Sequence, residues 1–111
     1  MTAVSLAFGE YGRKMLRSVF PTIAFMSCNS WSAETGVTTP TEEKAGLKQE
    51  IIANAQRKVL LADSSKYGAH SLFTVAPLAG FSEVVTDVNL SQAVQNALKE
   101  QNVTLKLVQP E

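Results

Sequence analysis

The chain has 111 residues, 45% of them hydrophobic and 18% charged, and its ten Lys+Arg balance ten Asp+Glu. Such a chain builds one globular domain with a modest core, which excludes a disordered segment and leaves no basic surplus for nucleic acid. A single cysteine, Cys28, excludes an internal disulfide framework or Cys-rich zinc site, and a single histidine, His70, excludes a His-cluster metal site and argues against a Ser-His-Asp triad.

The N-terminal run MTAVSLAFGEYGRK has no basic start and meets Glu10 after a short apolar stretch, so it does not read as a signal peptide. No segment approaches the ~18 apolar residues of a membrane span, and a cytoplasmic location is the expectation. Thr2 to Phe8 predicts a strand closed by Gly9. Glu10 to Val19, with Tyr11, Met15, Leu16 and Val19 on one stripe, predicts a helix stopped by Pro21. The apolar run Ile23 to Met26 predicts a strand buried on both faces. Asn29 to Pro40 has no periodicity and reads as a long connection, a kind that is often functional. Thr39 then serves as N-cap, with Pro40 at the first helical position and Glu42 closing a capping box. This helix runs to about Gln56 and turns Leu47, Ile51 and Ala55 inward, with Gly46 weakening it by roughly 1 kcal/mol relative to alanine.

Val59 to Ala62 predicts a second buried strand, leaving through Asp63-Ser64-Ser65-Lys66. Tyr67 to Gly80 reads as a mixed connection with room for one helical turn. A short strand at Glu83 to Thr86 follows, then a helix capped by Asn89 and running to about Gln101. Val103 to Leu107 alternates apolar and polar residues and predicts a half-solvated edge strand. Strand and helix alternate throughout, which predicts an α/β fold with a mostly parallel sheet, right-handed crossovers and flanking helices.

In such a sheet, ligands bind beyond the carboxyl ends of the strands. Asn29, Asp63 and Lys66 leave two strand ends that would be neighbours. A helix N-terminus near Pro40, with the hydroxyls of Thr38, Thr39 and Thr41, would offer an anion site. Lys48 and Lys66 would supply countercharge, and Asp63 and Glu43 would accept from hydroxyls. The crevice suits a small polyhydroxylated anion such as a sugar phosphate. Each piece also has a plainer reading. Lys66 is then a solvated loop lysine, Asp63-Ser64-Ser65 a side-chain-stabilised turn, the threonine pair a cap, Cys28 a small buried apolar residue, Trp31 a loop anchor and His70 a surface residue.

Four segments in order, AFMSC (24–28), TGVTTPTEEKAGLKQEII (35–52), VLLADSSKYG (59–68) and EVVTD (83–87), resemble the effector domain of DeoR-type transcriptional repressors of sugar metabolism. The shared pattern is a strand, a Gly-x-Thr-Thr loop, an acidic helix start, an apolar-Lys helix and Asp-x-Ser-Lys-[Phe/Tyr]-Gly. The resemblance implies a Rossmann-like fold similar to that of ribose-5-phosphate isomerase, glucosamine-6-phosphate deaminase and CoA transferases. It also implies a phosphorylated sugar effector that modulates operator binding, with no enzymatic activity and no cofactor or metal. The site residues it implies are Gly36, Thr38 and Thr39 of the loop, Lys48 of the helix, Asp63 and Lys66 of the motif and, more loosely, Asn29. Members carry a helix-turn-helix ahead of this domain and are typically oligomers. Residues 1–111 are therefore expected to be the C-terminal part of an N-terminally truncated effector domain, without a DNA-binding domain of their own. The alternative is a fragment of a sugar-phosphate isomerase on the same fold, for which Glu50 is the candidate base.

Overall fold

A computed structural model describes residues 23–109. The expected strand at Thr2 to Phe8, the helix at Glu10 to Val19 and the tail at 110–111 lie outside the described residues.

Four parallel strands form the main sheet: β1 (Ile23–Cys28), β4 (Arg57–Ala62), β6 (Glu83–Asp87) and β7 (Leu105–Val108), in the order β1-β4-β6-β7. Two helices, α1 (Glu42–Asn54) and α2 (Gln92–Glu100), precede β4 and β7 in the chain. A second, antiparallel sheet joins β2 (Trp31–Ser32), β3 (Gly36–Thr39) and β5 (Phe73–Ala76) in the order β2-β3-β5. The expected α/β architecture and parallel sheet are present, and β7 is an edge strand as its alternation requires.

All crossovers step the same way across the sheet, and right-handed connections then place both helices on one face. Ala24, Met26, Cys28, Leu60 and Val84 of that face share one core with Leu47 and Ile51 of α1 and Leu98 of α2. The opposite face is different. Phe25 and Leu61 are each 43% exposed, although Val59 beside Phe25 is buried, so β1 is not buried on both faces as its apolar run predicts. Continuous apolarity marks a strand suited to two-sided burial, but among the described residues the Phe25–Leu61 side is only partly covered.

The Asn29 to Pro40 stretch is not structureless. Strands β2 and β3 pair as a hairpin, Trp31 opposite Val37, around a turn in which Ser32 Oγ and Thr35 Oγ1 lie 2.7 Å apart. Two- and four-residue strands are too short to show a period of two, which is why the sequence pattern misses them. Pro40 restricts Thr39 to extended backbone, so Thr39 ends β3. The N-cap is Thr41 instead, its Oγ1 accepting from the Lys44 N–H at 3.2 Å, and Glu42 and Glu43 complement the helix dipole in the first turn. At α2 the cap likewise moves from Asn89 to Ser91, whose Oγ accepts from the Val94 N–H. Within the Tyr67 to Gly80 connection, β5 was not anticipated, while the single helical turn is present as a 3-10 turn at Leu78–Gly80.

Among the described residues, one buried side-chain polar atom has no partner. Thr86 Oγ1 sits in the sheet interior without a hydrogen bond. Because its desolvation is uncompensated, Thr86→Val is expected to raise stability by about 1 kcal/mol; a fall in the urea-unfolding midpoint would show that this hydroxyl has a partner after all.

Candidate functional site

Strands β1 and β4 end side by side, Cys28 paired with Ala62. Just beyond the end of β1 a cavity of ≈ 290 Å³ opens between the β1 end, β3 and the first two turns of α1. Its floor is Ser27, Cys28 and Asn29, and Leu47 supplies an apolar wall. Thr38, Thr39 and Pro40 form a second side.

The hydroxyls are pre-arranged. Ser30 Oγ lies 2.8 Å from Thr38 Oγ1 and 3.3 Å from Ser71 Oγ, and the Ser71 N–H donates to Thr38 Oγ1 at 2.9 Å. This network ties the β1 exit, β3 and the loop before β5 together around the cavity. Two cations, Lys44 and Lys48, enter from adjacent turns of α1, the i, i+4 spacing that puts both on one helix face. Lys48 is only 9% exposed, and its Nζ donates to the Ser27 carbonyl at 3.3 Å. Among the described residues no carboxylate lines the cavity. Burial pushes the Lys48 ammonium below the ordinary lysine range, with a smaller pull back from the Cys28 side and a further push from the Lys44 charge. The Cys28 thiol is pushed up to about 11 by burial, which outweighs the lowering pull of Lys48 and of a backbone hydrogen bond at Ser30. At neutral pH Cys28 is therefore an uncharged thiol, in line with its reading as a small buried residue.

The structure brings Asn29, Thr38, Thr39 and Lys48 together around this cavity and leaves out Gly36, Asp63 and Lys66. Asp63 is spent on its own turn: its carboxylate accepts from the Ser65 N–H at 2.9 Å, and its carbonyl accepts from Trp31 Nε1 at 2.9 Å. Lys66 is exposed at the end of the 3-10 turn Ser64–Lys66. Gly36 opens β3 with φ +72°, and its Cα faces the Ala76 carbonyl, so its constraint is backbone geometry. Glu50, the base an isomerase reading requires, does not line the cavity either. Ser30, Lys44 and Ser71 line it without having been anticipated. The Lys44–Lys48 spacing was a usable signal for Lys44; for Ser71 nothing local distinguishes it, since its position depends on how the loop before β5 returns to β3.

The Asp63 turn is anchored from β6. Asp87 accepts from the Ser64 N–H at 3.1 Å and the Ser64 hydroxyl at 2.6 Å. These bonds, with smaller help from the Asn89 N–H, hold the Asp87 carboxyl below its ordinary value. A depressed carboxyl contributes stability above its unfolded pKa of about 3.9 and loses it as pH falls through the folded value. Asp87→Asn is therefore expected to lower stability at neutral pH and to flatten the acid limb of the stability–pH curve below about pH 4; a curve parallel to that of the parent protein would contradict this.

Residues 2–88 match the family described as DeoR C terminal sensor domain. The chain is 38% identical over 100 residues to an uncharacterized HTH-type transcriptional regulator of Haemophilus influenzae, covering 90% of this chain and 39% of that protein. It is 35% identical over 103 residues to the uncharacterized HTH-type transcriptional regulator YgbI of Escherichia coli, covering 93% and 40%. To YulB of Bacillus subtilis, another uncharacterized HTH-type regulator, it is 30% identical over 105 residues, covering 94% and 41%. The chain thus spans about two fifths of the length of these curated relatives.

Proposed function

Since the chain belongs to the family of DeoR C-terminal sensor domains, we propose that it senses a phosphorylated sugar, or a closely related metabolite, for a repressor of sugar metabolism. It is a sensor domain and not an enzyme; the family and the relatives named as regulators agree on this. The observation that carries the ligand class is the cavity itself: two lysines, a connected set of hydroxyls and, among the described residues, no lining carboxylate. Cations with hydroxyl donors and acceptors match an anion that is also polyhydroxylated. In this reading Lys44 and the start of α1 face the phosphate, and Ser30, Thr38, Ser71 and Asn29 read hydroxyls.

The effector acts by binding one conformational or assembly state of the whole regulator more tightly than another, which biases a helix-turn-helix carried elsewhere in such regulators. DNA contact belongs to that module. Cytoplasmic location and self-association belong to the same proposal; no described helix is long and apolar enough to cross a membrane.

Thermal shift with a panel of ribose 5-phosphate, glucose 6-phosphate and fructose 1-phosphate, beside the free sugars, tests the reading. A saturating ligand at about 100 times its Kd adds about 2.7 kcal/mol, enough to raise Tm by several degrees. Lys44→Met is expected to weaken phosphorylated ligands by about 1.5–3 kcal/mol, the range for a hydrogen bond to a charged group, while Lys66→Ala leaves them unchanged. No shift with any anionic sugar, or loss in Lys66→Ala alone, would contradict the assignment.

A further inference from the structure

Among the described residues Lys48 is the only buried lysine. Its one hydrogen bond goes to a neutral acceptor, the Ser27 carbonyl at 3.3 Å. Among the described residues, the charged or titratable groups that line the cavity beside it are Cys28 from β1 and Lys44 from α1, and neither is an anion at neutral pH. An ammonium taken out of water without a counter-ion loses stability relative to the free amine, and burial does lower this one's proton affinity. A desolvated amine at the wall of a ligand cavity is the arrangement that makes lysine a nucleophile toward carbonyl carbon. Exposed Lys66, Lys99 and Lys106 lack it.

We propose that Lys48 Nζ forms a reversible imine with the carbonyl carbon of an open-chain aldose or ketose phosphate held in this cavity. The ligand class rests on the sensor reading above; the covalent step is additional to it. The free amine's lone pair forms the C–N bond while the carbonyl π pair moves onto oxygen, which takes up a proton. The resulting carbinolamine loses its hydroxyl as water and its remaining N–H proton to solvent, leaving C=N. One water is released per imine, nothing is oxidised or reduced, and hydrolysis returns ligand and amine. Ser30, whose hydroxyl donates to the Thr38 carbonyl at 3.0 Å, and Thr38, its Oγ1 2.8 Å away on the same cavity, are the hydroxyls that would turn to donate to the ligand's carbonyl oxygen. Such a bond gives the sensor a preference for sugar phosphates with a free carbonyl over the corresponding alditol phosphates.

Reductive trapping tests this. The full chain is incubated with glyceraldehyde 3-phosphate and sodium cyanoborohydride, whose hydride converts an imine to a stable secondary amine, and adducts are mapped by peptide mass. The expected result is one adduct per chain on Lys48, formed at least about tenfold faster than on Lys66, Lys99 or Lys106. Excess glycerol 3-phosphate, which keeps the phosphate and lacks the carbonyl, suppresses it; this protection requires no variant. Lys48→Arg removes the adduct. No Lys48 adduct, or adducts spread evenly over exposed lysines, overturns the imine; if sugar phosphates still raise Tm, the sensor reading stands without it. If no sugar phosphate raises Tm and no adduct forms, both fail together.

Discussion

Trp31→Ala is expected to remove about 3–5 kcal/mol of folding stability, the usual range for deleting a buried large aromatic. Trp31 is fully buried although it lies in a two-residue strand within a polar loop. Its indole N–H donates to the Asp63 carbonyl at 2.9 Å, and its ring meets Tyr67 edge-on with centroids 4.9 Å apart. Its carbonyl accepts from the Gly68 N–H at 2.8 Å. One side chain therefore joins the hairpin, the end of β4 and the Asp63–Gly68 turn. Alanine leaves a void and takes one of two hydrogen bonds from the Asp63 carbonyl, which keeps the Lys66 N–H at 3.0 Å, against a total stability of about 5–15 kcal/mol for an ordinary domain. Urea unfolding measures the loss; a change below about 1 kcal/mol would mean the hairpin is held by something else.

Gly36→Ala is expected to be nearly as damaging, for a backbone reason. Gly36 has φ +72°, and an added Cβ would lie 2.2 Å from the Ala76 carbonyl oxygen and 2.8 Å from Pro77 Cα. Both are main-chain atoms of the neighbouring strand and the residue after it, so β3 and β5 must separate to admit a methyl group. Left-handed strain and overpacking together cost on the order of 2–5 kcal/mol. Gly68 provides the control. Its φ is +91°, but nothing lies within 4 Å of an added Cβ, so Gly68→Ala carries the conformational strain alone. If the two variants unfold at the same urea concentration, the close approach of β5 is not what constrains Gly36. Because β3 carries Thr38 and Thr39 into the cavity, Gly36→Ala should also weaken ligand binding without Gly36 touching ligand.

These two residues show where sequence reasoning succeeds and where it stops. The parallel sheet was legible because Ile23–Met26, Val59–Ala62 and the Leu47–Ile51–Ala55 stripe each signal burial locally. Gly36 was legible as special, yet its reason lies in Ala76 and Pro77, some forty residues away in sequence and adjacent only after folding. The same limit applies to Asp63 and Lys66. Their motif reads as ligand-binding from the strand end, but the 3-10 turn directs the Asp63 carboxylate to Ser65 and leaves Lys66 in solvent. Lys48 was legible as a candidate through the motif quoted for the resemblance, and it does line the cavity. Its burial was not, because that depends on the hairpin closing over the first turns of α1.

The central claim is that ligand sits between the end of β1, β3 and the Lys44–Lys48 face of α1, and not on the Asp63–Lys66 turn. Amide NMR of the chain titrated with the sugar phosphate giving the largest thermal shift tests it most directly. The account predicts the largest perturbations at Asn29, Ser30, Thr38, Lys48 and Ser71, with Ser65 and Lys66 unmoved. Perturbations centred on Asp63 to Lys66, with the β1 end silent, would contradict it.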